Sequence, residues 1–117
     1  MPTIKEIRKK KSKRKNRLES CLNLLLQQLK ELGALKVILF GSMVKDEIDI
    51  DTYIDLFVIM PQNKSGKEWM DFIYKNFERE ISSDIIVYNK NEFETKYPTS
   101  SFLQEIISSG RKIYEKT

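Results

Sequence analysis

The hydrophobic period of this chain changes at a single glycine, and that change puts helix and strand into one domain. Leu18, Leu22, Leu25, Leu29 and Leu32 step by four, three, four and three residues, with Cys21, Leu24 and Leu26 widening the stripe. That is the spacing of an amphipathic helix, and Gly33 supplies its stop. After Ala34-Leu35-Lys36 comes the unbroken apolar run Val37-Ile38-Leu39-Phe40, which reads as a buried strand ending at Gly41-Ser42. A second strand is written in alternation: Ile48, Ile50, Ile54, Leu56 and Val58 share one parity, while Asp49, Asp51, Tyr53 and Asp55 share the other. Pro61 closes it.

Beyond Pro61 the same punctuation continues. Ser65 and Glu68 have capping-box spacing and open a helix burying Trp69, Ile73 and Phe77. Ile81 to Tyr88 holds a third strand, in which Asp84 precedes the apolar run Ile85-Ile86-Val87. Asn91-Glu92-Phe93-Glu94 begins a short helical turn that Pro98 interrupts. Ser101 and Gln104 again have capping-box spacing, predicting a helix with Phe102, Leu103, Ile106 and Ile107 on its apolar face and its end at Gly110. Lys112-Ile113-Tyr114 completes the pattern as an edge strand. The 117 residues therefore predict one small α/β (α+β) layer domain with a mixed sheet of three to four strands flanked by helices.

Composition narrows the chemistry. With one cysteine and no histidine, a disulfide framework within the chain, Cys/His zinc patterns and Ser-His or Cys-His catalysis are excluded. Acid or base work falls to carboxylates, lysines and tyrosines. No apolar run approaches the length of a membrane span, and the basic N-terminus lacks the apolar core of a signal peptide. A reduced, cytoplasmic protein with no membrane association is expected, with Cys21 a buried thiol.

Charge is unevenly placed. Residues 1–17 hold nine Lys/Arg against Glu6, a balance of +8, while the rest of the chain carries −4. This segment is a basic N-terminal arm or a helix extension. As an arm it attracts phosphates and makes weak, nonspecific nucleic-acid contact; as an extension it is merely solvated.

Three features converge on chemistry. Gly41-Ser42 lies where a buried strand ends, a place where backbone can approach a phosphate and a serine can donate to it. Asp55 and Asp84 stand on strands that can lie side by side, and carboxylates so placed can share a hard divalent cation that bridges them to phosphates. A glycine turn with two solvated aspartates is the alternative.

Leu39-Phe40-Gly41-Ser42, ten further residues, and Tyr53-Ile54-Asp55-Leu56-Phe57-Val58 resemble the signature of the minimal nucleotidyltransferases of the DNA polymerase beta-like superfamily. The likeness runs over about residues 18–116 and includes Ser83-Asp84-Ile85-Ile86-Val87 as the strand of the third carboxylate. The resemblance implies a nucleotidyltransferase-like domain over 18–117 that binds a nucleoside triphosphate (NTP) and Mg²⁺. Gly41 and Ser42 would cradle the triphosphate, Lys45 would pair with phosphate, and Asp55 and Asp84 would be both catalytic and metal-ligating. Transfer of a nucleoside monophosphate to a protein or small-molecule hydroxyl would release pyrophosphate.

One departure from the pattern bears on turnover. Tyr53 stands where the family has its first aspartate, and a neutral phenol is a poor Mg²⁺ ligand. The metal site is thereby weakened, and Asp46 adds a negative charge in the intervening loop. On a continuous strand Asp51 lies roughly 13 Å from Asp55, so only a loop folding back brings it near. The resemblance thus implies either a nucleotidyltransferase of weak or lost activity, or an inactive member acting as a binding module, antitoxin-like, beside a small helical protein. The short chain also implies a partner subunit or homodimer to complete an acceptor site.

Overall fold

The computed structural model describes residues 3–41, 43, 54–77 and 83–117. Helix α1 runs from Ile4 to Leu32. Thr3 caps it by accepting from the Glu6 amide while Glu6 accepts from the Thr3 amide, each at 3.3 Å. Its far end closes on Gly33 at φ 103°, with the Gly33 amide donating to Lys30 at 3.1 Å and the Ala34 amide to Leu29 at 3.0 Å. A left-handed residue is needed there, which is why glycine stops this helix. The basic residues from Lys5 to Arg17 lie on the same uninterrupted helix.

Four strands follow: β1 (Lys36–Phe40), β2 (Ile54–Met60), β3 (Ser83–Asn89) and β4 (Arg111–Glu115), in the spatial order β3-β2-β1-β4. β1 pairs antiparallel with both β2 and β4, whereas β2 and β3 run parallel. Helix α2 (Gly66–Asn76) makes the crossover that a parallel pair requires. Helix α3 (Lys90–Lys96), a 3₁₀ turn at Tyr97–Thr99 and helix α4 (Ser101–Ser109) connect β3 to β4.

Both sheet faces are covered. Ile54, Leu56, Val58 and Met60 of β2 pack with Val37, Leu39, Ile85 and Val87 beneath Leu18, Leu25 and Leu29 of α1 and Trp69 and Ile73 of α2. The opposite parity, Phe57 and Ile59 with Ile38, packs beneath Leu103 and Ile106 of α4, and Phe93 and Tyr97 close that side. Phe57 is the hinge of an aromatic chain, 5.5 Å from Tyr88 and 5.8 Å from Phe93 between ring centres. β2 is central and buried on both sides, which explains why its apolar residues run on past the alternation through Ile59 and Met60.

The expected elements are present with some corrections. The second strand begins at Ile54 among the described residues; its predicted start at Ile48 lies outside them, as does Ile81 of the third. Trp69 is core, its indole N–H donating to the Pro61 carbonyl at 2.9 Å, and Cys21 is buried. Phe77 caps the end of α2 and is only half-buried. The N-cap of α4 is Ser100, not Ser101: its hydroxyl accepts from the Leu103 amide at 3.2 Å. Gln104 turns back instead to the carbonyls of Tyr97 and Pro98. With Leu103 and Ile106 facing the sheet, Phe102 is exposed, and Leu24 likewise lies outside the buried stripe of α1. No helix among the described residues is long and apolar enough to cross a membrane.

Candidate active site

The parallel register of β2 and β3 sets Asp55 directly beside Asp84. Paired residues of neighbouring strands project to the same face, so the two carboxylates stand side by side across one inter-strand spacing of about 4.8 Å. Asp84 is exposed and Asp55 half-buried, because β2 is central and β3 lies at the edge. They occupy the face carrying Phe57 and Ile59, but at its far end, two residues before Phe57.

β1 closes the site from the other side. Phe40 pairs with Asp55, so Gly41 is the first residue past the pairing. Gly41 takes φ 80°, in the left-handed region. A Cβ on it would lie 3.2 Å from the Asp55 Cγ and would collide with Oδ2. Glycine is thus required twice over, for its conformation and for the close approach of a carboxylate to backbone. Burial first, and then the charge of Asp84, push the Asp55 carboxyl above its ordinary pKa.

Of the residues expected to form the site, Gly41, Asp55 and Asp84 are brought together. Ser42 and Lys45 lie outside the described residues, as do Asp46, Asp49, Asp51 and Tyr53. Among the described residues no group of three acidic, cysteine or histidine side chains converges. Two hard oxygen donors of like charge on adjacent strands nevertheless form a set that suits a divalent cation of the Mg²⁺ type.

Two residues outside the expected site support it. The Tyr74 hydroxyl of α2 accepts from the Ile85 amide at 3.0 Å, immediately after Asp84, and so satisfies an outward-facing donor of the edge strand. Glu92 accepts from the amides of Gly66 and Asn89, both at 2.8 Å, and ties the starts of α2 and α3 to the end of β3. No local sequence signal marks Tyr74, because its partner is eleven residues away on another element. Glu92 does carry a signal, the Asn89-to-Glu92 capping-box spacing. A separate groove lined by Leu35, Ile59, Phe93, Lys36 and Lys90 lies toward the other end of β2, four residues or roughly 13 Å from Asp55.

The family model described as Polymerase beta, Nucleotidyltransferase matches residues 23–117. Among curated proteins, none matches the chain.

Proposed function

Because the chain belongs to the polymerase beta nucleotidyltransferase family, we propose that it transfers a nucleoside monophosphate from an NTP to a hydroxyl of a protein or small molecule, with Mg²⁺ held by Asp55 and Asp84. The observation that carries this reading is the in-register pair Asp55 and Asp84 set against the left-handed turn at Gly41. Bound Mg²⁺ would neutralise charge on the triphosphate and on the pyrophosphate that leaves. The chain's own residues do the rest. The turn at Gly41 offers backbone donors to phosphate oxygens, and Ser42 and Lys45, which follow it in the sequence, are the residues assigned to bind phosphate with it. Asp84, exposed at the sheet edge, accepts the proton of the attacking hydroxyl as its oxygen bonds to the α-phosphorus. Half-buried Asp55 lies close against the Gly41 backbone.

A second reading has its own support. Tyr53 replaces the first aspartate of the motif, and among the described residues no third carboxylate joins the pair. A member so altered keeps the fold and acts as a binding module, an antitoxin-like partner of a small helical protein. Labelling with an α-labelled NTP separates the two. Mg²⁺-dependent label on an acceptor, lost in Asp55→Ala and in Asp84→Ala, supports transfer. No label, together with NTP-independent capture of a helical partner, supports the second reading. Calorimetric titration of Mg²⁺ and NTP on Tyr53→Asp adds a direct check, since restoring the acid should raise metal-nucleotide affinity.

A further inference from the structure

We infer that residues 4–17 of α1 form an arm that docks on duplex DNA, lying in the major groove against the phosphate backbone. This inference does not depend on the reading of the aspartate pair. The helix is continuous and capped from Ile4, and among its residues with described side chains the first that is fully buried is Leu18. Lys5, Lys13, Lys15 and Arg17 are exposed. Residues 4–17 extend about 21 Å as helix.

Charge identifies the occupant. Nine of the seventeen leading residues are basic and one is acidic, while the remainder of the chain is net negative. In sequence Lys5 and Lys9, and likewise Lys13 and Arg17, stand four positions apart, the spacing of one helix face, and Glu6 is the single acidic residue among the first seventeen. Such pairs repel, and a densely anionic partner relieves them. B-form DNA presents one charge about every 1.7 Å, so the span of Lys5 to Arg17 runs alongside on the order of ten phosphate charges.

Other partners fit less well. Ile4 and Ile7 are the only apolar residues between Thr3 and Arg17, so the segment has no stripe to seat in a protein groove or sink into a bilayer. It has no aromatic residue to stack on unpaired bases. A helix about 10–12 Å across with its side chains matches the roughly 12 Å major groove of B-DNA, whereas that of A-form RNA is too narrow.

The test is fluorescence anisotropy of the full chain with labelled duplexes of about 20 base pairs and two unrelated sequences, over about 50–300 mM salt. The expected result is sequence-independent binding whose log affinity falls linearly with log salt, with a slope steeper than about −3. The variant K13Q/R17Q should be shallower by about 2 and up to about 60-fold weaker at 0.1 M salt. The charge-conserving K13R/R17K should match the natural chain, which separates charge from any effect on folding. Absence of binding at about 50 mM salt would overturn the inference, as would a K13Q/R17Q variant indistinguishable from the natural chain. So would equal or tighter binding to duplex RNA, to a single strand, or to phosphatidylserine-containing vesicles.

Discussion

Replacing Gly41 by alanine tests the closest approach in the site, because the structure separates two costs. The first is conformational: φ 80° is left-handed backbone, which an alanine adopts at about 1–2 kcal/mol. The second is steric. The new methyl would meet the Asp55 carboxylate, with Cγ at 3.2 Å and Oδ2 nearer, and swinging that group off its rotamer costs about 0.5–1.5 kcal/mol. In the natural background Gly41→Ala should therefore destabilise by about 1.5–3.5 kcal/mol. In Asp55→Ala the carboxylate is gone, and the nearest remaining atom of residue 55 is its Cβ at 3.5 Å, an ordinary contact. Only the backbone cost of about 1–2 kcal/mol should persist. Urea unfolding of the four members of this double-mutant cycle, followed by circular dichroism, yields the coupling, expected at about 0.5–1.5 kcal/mol. Equal destabilisation in both backgrounds, within about 0.3 kcal/mol, would refute the claim that Gly41 makes room for Asp55.

Three further outcomes are expected. Asp55 has a raised carboxyl pKa, so its neutral form is favoured by folding; its contribution is complete below the ordinary carboxylate range and is lost as pH rises through the raised value. Asp55→Asn should then be more stable than the natural chain at pH 7, with the gap closing in acid, and denaturation at several pH values reads this directly. Ser100→Ala should cost about 1 kcal/mol through loss of the α4 cap, whereas Ser101→Ala should stay within about 0.5 kcal/mol, in paired thermal melts. Glu92→Ala strips the acceptor from the Gly66 and Asn89 amides and should destabilise by about 2–4 kcal/mol in urea titration; a loss under 1 kcal/mol would show that water replaces it.

What could be read in advance follows a physical division between local and non-local causes. Capping residues, the Gly33 stop and strand parity act within a few residues of themselves, so α1, α2 and the four strands announce themselves. Capping-box spacing points to Ser101, one residue past the true α4 cap, because Ser100 and Ser101 both carry a suitable hydroxyl. Burial of Leu103 and Ile106 against Ile38 and Phe57 decided between them, and that contact lies far away in sequence. The same distinction explains Phe102 and Leu24, whose apolar character suits a core that the sheet's position does not extend to them. Asp55 and Asp84 could be named as candidates from their places before apolar runs, but their side-by-side register depends on the β2–β3 pairing. The contact between Gly41 and Asp55 depends on the pairing of β1 with β2, a tertiary fact that no window of sequence contains.

The position of β4 has a consequence for how the molecule assembles. β1 is flanked on one side by β2, which lies near it in the chain, and on the other by β4, with Lys36 opposite Glu115 and Leu39 opposite Arg111. During synthesis, the segments carrying the two aspartates emerge first and can collapse while one margin of β1 still waits for residues 111–115. A chain at that stage would expose the unpaired amides and carbonyls of one margin of β1, the kind of surface chaperones shield. Closure therefore belongs to the longest-range strand pairing of the sheet, and not to the pairing that sets Asp55 beside Asp84.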